Sequence, residues 1–437
     1  MTENNSNFAE LGISEVDITP KKSVQTVGFG RSDEWSRGIL NPLSAQISIW
    51  SFNHKKCCLI AIDHIGFAVS HANQLRSEVA EMLSIHIGNV MLCFSHTHSA
   101  PNESIENEYF CFLRSQVKSG ILKAMENMSS IHAAWGNAYA EIGINRRSEF
   151  NETDKRIGIL KVTDASSGSL KLILLRLTAH ANVLKEDNYL ISPDYFGTAR
   201  DLLKQKYGCT IMLTQGASGN VAPKYYHSSI TPPDISDTGQ FCNSATALND
   251  MADEIYRNTD YILKRMIPGN ITNLKMYSVC KDLYADVPSI DKAMKIASDA
   301  KKYAGIDGSL WMDEVHRLHA QGIKNQKETV EIQYFTVNSG GLCGVPNEIM
   351  CEFAIEAEKL LKNSTFYLGG YTNGCTGYFP TESEYDKGGY EVYWSMLIYY
   401  QYHGRVSPLN RNSASEFIAA VAENYQKQNP FFHGSHL

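Results

Sequence analysis

The chain has 437 residues, of which 43% are hydrophobic and 20% are charged, and its formal net charge at pH 7 is −7. These values are typical of a globular protein with a sizeable core, and the excess of acidic groups argues against nucleic acid as a partner. Ten cysteines are too few for a disulfide scaffold, so we expect free thiols.

The sequence contains no membrane-spanning pattern. No apolar run approaches the roughly 20 residues that a transmembrane helix needs. The first ten residues are polar and lack the charged start and apolar stretch of a leader. We therefore expect a soluble protein without a transmembrane segment, either cytoplasmic or secreted or periplasmic after removal of a leader. The sequence leaves the compartment and the oligomeric state open.

Apolar residues alternate in some segments and recur at helical spacing in others, which predicts a mixture of strands and helices. We predict strands over residues 11–20, 44–52, 58–62, 90–94, 138–144, 157–162, 170–177, 210–213, 329–337 and 365–368. We predict helices over residues 70–83, 109–128, 195–207, 245–267, 349–361 and 413–426. The lysine-rich, amphipathic region 285–328 is expected to form helices on a solvated surface. No repeat or change in composition divides the chain. This favours one large mixed α/β domain over residues 1–437, with central β-sheets flanked by helices.

Two predicted strands end at histidines. The strand 90–94 is followed by His96 and His98, and the strand 170–177 is followed by His180. In an extended chain, residues i and i+2 lie on the same face, so His96 and His98 can reach one small volume. Imidazole is the commonest metal ligand in proteins, which favours a zinc site. A strand end with two half-exposed histidines stays an alternative.

Two later turns add oxygen ligands to this set. Glu348 lies in the first turn of the predicted helix 349–361, and Tyr378 lies in the glycine-rich loop after the strand 365–368. Two histidines, one carboxylate and an open position are the usual first shell of a hydrolytic zinc site. Spacing alone does not bring these residues together in space, because every α/β sheet has many strand ends.

These segments, in this order, resemble the catalytic domain of the neutral/alkaline, non-lysosomal ceramidase family. The resemblance covers nearly the whole chain and implies a neutral-ceramidase-like α/β fold. The motifs that carry it are Asp17-Ile18-Thr19, Gly28-Phe29-Gly30, Ser95 to Pro101, Ile144-Asn145-Arg146, His180, the loop Gly216 to Pro223, Pro346-Asn347-Glu348, Thr372 to Thr381, Glu384-Tyr385 and Tyr390-Glu391.

The resemblance also implies a cofactor and its ligands. Zinc would be held by His96, His180, Glu348 and Tyr378. Tyrosine is an uncommon zinc ligand, so it is the resemblance, and not the chemistry, that nominates Tyr378. Another divalent ion stays open, although two imidazoles beside two oxygen ligands suit zinc at least as well.

Further residues are implied to act around the metal. His98 would contact the substrate or transfer a proton, a task that suits a group titrating near neutral pH. Arg146 and Tyr390 would bind the scissile group and stabilise the oxyanion, with a structural salt bridge or a core tyrosine as the alternative. Asp63 and Asp194 are expected to orient ligand histidines, and a helix-cap or turn role is the alternative.

The chain departs from the family near the expected substrate site. Ceramidases carry Asp-Val-Ser-Pro where this chain has Asn220-Val221-Ala222-Pro223, so a hydroxyl is missing at Ala222. We expect Asn220 and Ala222 to be substrate-binding positions, and the lost hydrogen bond favours a different head group. About 60 residues follow Tyr378, too few for the C-terminal β-sandwich domain of ceramidases, which we expect to be absent.

The sequence thus predicts a zinc-dependent hydrolase that cleaves an amide (N-acyl) bond with metal-activated water, using ceramidase-like chemistry on an altered substrate. The expected substrate is a small polar amide or an N-acyl lipid, and the second would connect the protein to lipid metabolism. A zinc-dependent esterase is an alternative, because the same centre polarises an ester carbonyl. A non-catalytic ligand-binding protein is another alternative, although such a protein does not need four intact metal ligands.

Overall fold

The apolar segments fold into two β-sheets and their covering helices in the computed structural model, which describes residues 9–148, 152–225 and 245–429. The strands are β1 (Glu10–Asp17), β2 (Ser44–Phe52), β3 (Lys55–Ile62), β4 (Val90–Phe94), β5 (Ser129–Tyr139), β6 (Gly143–Asn145), β7 (Arg156–Asp164), β8 (Leu170–Leu177), β9 (Thr210–Gln215), β10 (Val221–Pro223), β11 (Leu274–Asp286), β12 (Asn325–Val337), β13 (Gly340–Gly344), β14 (Glu348–Ile349), β15 (Phe366–Gly369) and β16 (Tyr378–Phe379). The helices are α1 (Val69–Leu83), α2 (Asn107–Glu126), α3 (Asp194–Tyr207), α4 (Ala245–Leu263), α5 (Ile290–Ala304), α6 (Ser309–Ala320), α7 (Cys351–Leu361), α8 (Met396–His403) and α9 (Ser413–Gln428).

The larger sheet has eight strands in the order β4-β3-β2-β1-β5-β7-β8-β9. Its outermost pairs, β3 with β4 and β8 with β9, are parallel, whereas the inner pairs are antiparallel. All five residues of β4 are buried, as is the stretch of β3 after its first two lysines. Strands covered on both faces read as continuous apolar runs, which explains why these two were predictable from the sequence.

The smaller sheet has four strands in the order β11-β12-β13-β15. Strands β11 and β12 form a long antiparallel ribbon, and β13 pairs in parallel with β15. Two short strands, β14 and β16, pair in parallel beside this sheet and place Glu348 opposite Tyr378. A second small pair joins β6 to β10. These short pairs matter for function because they fix the positions of predicted site residues.

The two sheets pack face to face around a shared apolar core. Leu59 and Met91 of the larger sheet belong to the same buried cluster as Phe335 and Tyr367 of the smaller one, and the rings of Trp50 and Phe335 lie 5.2 Å apart. Helices α1 to α4 cover the outer face of the larger sheet, and α7 and α9 cover that of the smaller one. The mixed α/β architecture predicted from the sequence, with central sheets flanked by helices, is therefore confirmed.

The lysine-rich region predicted to form surface helices contains α5 and α6, which share an apolar cluster with α8. Trp311 is buried there and its indole donates a hydrogen bond to the carbonyl of Val406 at 2.9 Å. Tyr303 stacks on Trp394, with ring centroids 5.9 Å apart. These helices therefore support α8, which in turn forms one wall of the cavity described below.

One strand prediction was wrong in detail, and some elements were not predicted. The strand expected over 138–144 is instead β5, which begins at Ser129, followed by the short β6. Strand β11 was not predicted at all. Both β5 and β11 keep many residues only partly buried, so their sequences lack the clean alternation by which a strand is recognised. Within the described ranges, no helix is both long and apolar enough to cross a membrane.

Candidate metal centre and its cavity

Two strand ends from opposite edges of the larger sheet meet at one place. Gln215, the last residue of β9, donates hydrogen bonds to the carbonyls of Ser95 at 3.1 Å and Ala179 at 2.7 Å. Ser95 and Ala179 immediately precede His96 and His180. The sheet is curled so far that its two edges share this side chain, and the rings of His96 and His180 lie 4.7 Å apart.

Backbone carbonyls hold both of these imidazoles in one orientation. The Nδ1 atom of His96 lies 2.6 Å from the carbonyl oxygen of Ile65, and that of His180 lies 2.7 Å from the carbonyl of Ser218. A carbonyl only accepts hydrogen bonds, so Nδ1 carries a proton in each case and Nε2 is the nitrogen left for a metal ion or another partner. His96 adopts a left-handed backbone with φ of 63°, which is costly outside glycine, and a hydrogen bond from its N–H to His64 at 2.8 Å holds it there.

The Nε2 atoms of both rings face the same carboxylate. Oε2 of Glu348 lies 3.3 Å from Nε2 of His96 and 3.5 Å from Nε2 of His180, and the side chain of Glu348 is 1% exposed. Oε1 accepts a weak hydrogen bond from the thiol of Cys375 at 3.8 Å. Burial opposes the charged form of Glu348, whereas His96 and His180, when they are protonated, lower the pKa of this carboxyl below its ordinary range. Lone pairs that converge on a carboxylate oxygen repel it unless a cation or a proton lies between them.

This donor set fits a metal ion. Nε2 of His180 is buried without a hydrogen-bond partner among the described residues. Two neutral imidazoles with free lone pairs and one carboxylate are the ligands that zinc prefers. Burial lowers the pKa of His180 to about 4, which keeps that ring neutral and able to bind a metal at neutral pH.

His98 gives the centre a second possible donor set. One ring nitrogen from each of His96, His98 and His180 lies within 4.8 Å of the other two. A single metal ion can span this spacing. Both ring nitrogens of His98 are buried without a partner in the part of the chain that the structure describes. Burial, followed by the two neighbouring histidines, lowers the pKa of His98 well below its ordinary value. His98 is thus a third imidazole that could hold a metal ion at this centre.

Tyr378 and Arg146 lie on the other side of Glu348. Tyr378 is 4% exposed and stands opposite Glu348 in the β14–β16 pair. Burial and then Glu348 raise the pKa of Tyr378, whereas Arg146, which hydrogen-bonds to it, acts in the opposite direction. Arg146 also donates to the carbonyl of Gly219 at 2.6 Å and lies 3.3 Å from Glu391. The ring of Tyr390 lies 5.9 Å from that of Tyr378 and lines the cavity.

Tyr371, which the sequence did not single out, lies at the middle of the centre. Its ring is 4.2 Å from that of His96, and its hydroxyl donates to Oε2 of Glu348 at 3.4 Å. The same hydroxyl accepts from the side chain of Ser218 at 3.2 Å, and the carbonyl of Ser218 accepts from His180. One chain of hydrogen bonds therefore connects two of the predicted ligands. The only sequence signal for Tyr371 is its position next to the Thr372 to Thr381 motif.

The two aspartates expected to orient histidines make other contacts. Both oxygens of Asp63 accept from the guanidinium of Arg200, at 3.0 and 2.6 Å, and Oδ2 also accepts from the backbone of Ser44. Asp194 accepts from the backbone N–H groups of Val183 and Leu184, just after His180. Carbonyl groups, not these aspartates, hold Nδ1 of His96 and His180. The contacts of Asp194 match the turn role that was the alternative expectation for it. Asp63 forms an ion pair with Arg200 instead.

The two positions expected to bind substrate are built into the fold. The amide nitrogen of Asn220 donates to both oxygens of Glu352, at 3.1 and 2.9 Å, and its oxygen accepts from the N–H of Cys351 at 2.9 Å. Ala222 pairs with Ile144 between β10 and β6. The amide of Asn220 is therefore fully occupied, and its contacts do not support the expected substrate role. Gly219, in the same loop, lets the backbone of the loop lie close to the backbone of Glu348, since a Cβ at this position would lie 2.4 Å from the carbonyl oxygen of Glu348.

A cavity of about 210 Å³ opens above His96 and Glu348. Its walls come from the turn 27–30, the segments 65–68 and 102–104, and helix α8. Five phenylalanine and tyrosine residues are among those that line the cavity. They are Phe29, Phe67, Tyr390, Tyr399 and Tyr402.

The structure is similar to two solved ceramidases. The crystal structure of neutral ceramidase from Pseudomonas aeruginosa superposes with a TM-score of 0.71 at 14% sequence identity, over 97% of this chain and 75% of that one. A ceramidase in complex with C2 gives a TM-score of 0.70 at 14% identity, over 99% of this chain and 77% of that one. No family model matches the chain, and no curated protein matches its sequence. The chain thus has a neutral ceramidase-like fold, which confirms the resemblance at the level of the fold.

Proposed function

We propose that this protein is a zinc-dependent hydrolase that cleaves an amide bond. One observation carries the proposal: the Nε2 atoms of His96 and His180 converge on one oxygen of Glu348 at the base of a cavity. Such an arrangement needs a cation or a proton between the nitrogens and the oxygen, the ligand atoms suit zinc, and the cavity leaves room for a substrate above them. The ceramidase-like fold supports amide chemistry.

His96, His180, Glu348 and Tyr378 would hold the zinc ion. When bound, zinc supplies a Lewis acid for the carbonyl and lowers the pKa of a water molecule toward about 7. The protein's own contribution begins with orientation, because the carbonyls of Ile65 and Ser218 fix the two imidazoles before any ligand arrives.

The remaining residues would act on the substrate. His98 has two ring nitrogens without a partner in the described structure, so it is available to accept a proton from water and donate one to the leaving amine. Arg146 and Tyr390 would stabilise negative charge that develops on the carbonyl oxygen. Glu391 holds Arg146 in place at 3.3 Å and also binds the neighbouring Arg147 at 2.9 Å.

The size of the cavity favours a compact substrate. Its volume of about 210 Å³ is below the roughly 300–1,000 Å³ of pockets that enclose drug-sized ligands. We therefore propose a short N-acyl compound rather than a full-length lipid amide. An ester with the same short acyl group is the second candidate, because the centre would polarise either carbonyl.

Metal binding tests the proposal first. We expect purified protein to bind one zinc ion. Loss of a residue that only hydrogen-bonds to a metal ligand typically weakens metal binding by about 10- to 100-fold, so Glu348→Gln, which changes a ligand itself, should weaken zinc binding by more than about 100-fold. The matched control is Glu352→Gln, which changes a partly buried carboxylate that binds Asn220 instead. Zinc affinity is measured by competition with a chromogenic chelator. The proposal is contradicted if the wild-type protein binds no zinc, or if Glu348→Gln binds zinc as tightly as Glu352→Gln does.

Activity tests the bond that is cleaved. Zinc-loaded protein is assayed with short N-acyl p-nitroanilides, the matching p-nitrophenyl esters and a long-chain ceramide in detergent. We expect hydrolysis of the short amides, loss of activity on chelation and recovery with zinc. Cleavage of the esters alone identifies an esterase, and cleavage of the ceramide alone contradicts the compact substrate.

A further inference from the structure

A buried carboxylate lies in the cavity wall across from the metal centre. Glu103 is 3% exposed and lines the same cavity as His96 and Glu348. It follows the His-Thr-His segment closely in the chain, but it is no part of the proposed ligand set or of the catalytic groups.

The hydrogen bonds of Glu103 leave one of its oxygens unused. Oε1 accepts from the backbone N–H of Ala68 at 2.9 Å and from the hydroxyl of Ser104 at 3.1 Å. Oε2 lies 3.8 Å from Nε2 of His64, which is too far for a hydrogen bond. That nitrogen carries its ring proton toward the carbonyl of Pro101 at 2.7 Å, because Nδ1 of His64 accepts from Gly66 at 3.1 Å.

Among the described residues, no lysine or arginine side chain pairs with Glu103. Within residues 9–148, 152–225 and 245–429, no lysine or arginine nitrogen lies within 4.0 Å of its oxygens, and its ionic neighbours are two histidines. His64 has both ring nitrogens engaged elsewhere, since Nε2 donates to Pro101 and Nδ1 accepts from Gly66. His71 has its Nδ1 atom 3.5 Å from Oε1, and its ring stacks on Phe110. A buried carboxylate without a paired cation is costly, so such a group in a cavity indicates a ligand that supplies the charge.

The rest of the wall suits a cation as well. The rings of Phe29, Tyr390, Tyr399 and Tyr402 line the cavity together with Glu103. Aromatic faces attract ammonium groups, and the attraction increases when water is excluded. A carboxylate combined with aromatic walls is a typical recognition site for an alkylammonium group.

We infer that Glu103 binds an ammonium group of the substrate, so that the cavity selects short amides that carry a positive charge. Only the statement that the bound ammonium compound is a substrate rests on the proposed function, because binding of an ammonium ion needs no hydrolysis. The free oxygen of Glu103 would accept the hydrogen bond while the aromatic rings enclose the alkyl part.

Binding of a simple cation tests this inference. The probes are n-butylammonium and its neutral counterpart 1-pentanol, titrated calorimetrically into zinc-loaded and metal-free protein. We expect the wild type to prefer the ammonium probe by about tenfold or more, as a desolvated charge pair with cation–π contacts provides. Glu103→Gln keeps an oxygen acceptor for Ala68 and Ser104 but removes the charge, and we expect it to abolish the preference.

Glu106→Gln is the matched control, because Glu106 lies three residues further on and binds the backbone of Gln25. It should keep the full preference, and thermal unfolding of all variants checks that they fold. Failure of wild type to bind the ammonium probe more tightly than pentanol overturns the inference, as does a preference that survives in Glu103→Gln. Either result leaves zinc binding and hydrolysis untouched, whereas a protein without hydrolytic activity that still selects the cation refutes only the proposed function.

Discussion

His96 and His98 are two residues apart and their rings lie 5.0 Å apart, but their neighbours give them different properties. Nδ1 of His96 is fixed by the carbonyl of Ile65, so its free nitrogen points at Glu348. His98 has no such partner in the described structure, and its ring instead packs 5.0 Å from that of Phe29. A metal ligand needs a fixed direction, whereas a proton carrier needs an available nitrogen. This difference supports the division of roles that the resemblance implies.

Replacement of His98 separates the two possible donor sets. If His96, His180 and Glu348 hold the metal, His98→Asn keeps zinc affinity within a few-fold and lowers kcat by about 100- to 10,000-fold, the usual contribution of a general acid or base. The measurements are zinc competition with a chelator and steady-state kinetics. Loss of zinc from His98→Asn, at the level seen for Glu348→Gln, would show that His98 belongs to the ligands.

The hydroxyl of Tyr371 is expected to contribute to metal affinity through Glu348. Tyr371→Phe removes the hydrogen bond to Oε2 and leaves the stacking on His96, so zinc should bind about 10-fold more weakly. Tyr367→Phe is a matched control, because Tyr367 is equally buried and its hydroxyl bonds Asn137 at 2.7 Å, outside the centre. Equal zinc affinity in the two variants would contradict a role for Tyr371 in positioning Glu348.

At the scale of elements, the turn 27–30 covers His98. Gly28 has φ of +123°, and a Cβ there would lie 2.7 Å from Cγ of the His98 ring. The next glycine of the turn, Gly30, would meet nothing within 4 Å. A side chain at position 28 would therefore collide with His98, whereas position 30 has room for one. Only Gly28 determines how closely the backbone approaches the imidazole.

Substitution of the two glycines tests the function of this turn. We expect Gly28→Ala to displace His98 and lower kcat, and to destabilise the protein by about 1–3 kcal/mol because the backbone is unfavourable for alanine. Gly30→Ala should leave kcat and the unfolding midpoint close to wild type. The measurements are kinetics and urea denaturation. A Gly28→Ala variant with the kinetics of Gly30→Ala would show that the turn does not position His98.

For the molecule as a whole, the buried histidines couple stability to pH. Burial lowers the pKa of His180 from 6.5 to about 4 in the metal-free fold. Between pH 6.5 and about pH 4, His180 binds a proton in the unfolded chain but not in the folded chain. The free energy of unfolding therefore decreases as the pH falls below 6.5. For this group alone the loss is at most about 1.4 kcal/mol per pH unit.

This prediction is tested with metal-free protein. The urea midpoint is measured at pH 7.5 and pH 5 for wild type and for His180→Gln, whose side chain does not titrate. We expect the wild type to lose more stability between the two values than the variant does. Zinc should raise the wild-type midpoint at pH 7.5 by mass action, and less at pH 5, where protons compete for the imidazoles. Equal losses in the two proteins would contradict the assigned titration.

Much of the secondary structure was predictable because it depends on local patterns. Strands β2, β4 and β8 have the predicted bounds, since apolar runs and alternation are properties of neighbouring residues. Strand β11 was missed because its partly exposed residues carry no clear pattern, and its place is set by pairing with β12 along its whole length. Pairing between strands distant in sequence overrides weak local preference.

The sequence by itself determined which side chains were available: three histidines and a glutamate, in an order that resembles the ceramidase family. Only the tertiary structure decided how they meet. The curling of the larger sheet, bridged by Gln215, brings His96 and His180 together, and the short β14–β16 pair places Glu348 opposite Tyr378. Tertiary contacts also gave Asn220 and Asp63 structural partners in place of the roles expected for them. The physical reason is that spacing along a chain fixes directions over a few residues, whereas distances across hundreds of residues depend on how sheets curl and pack.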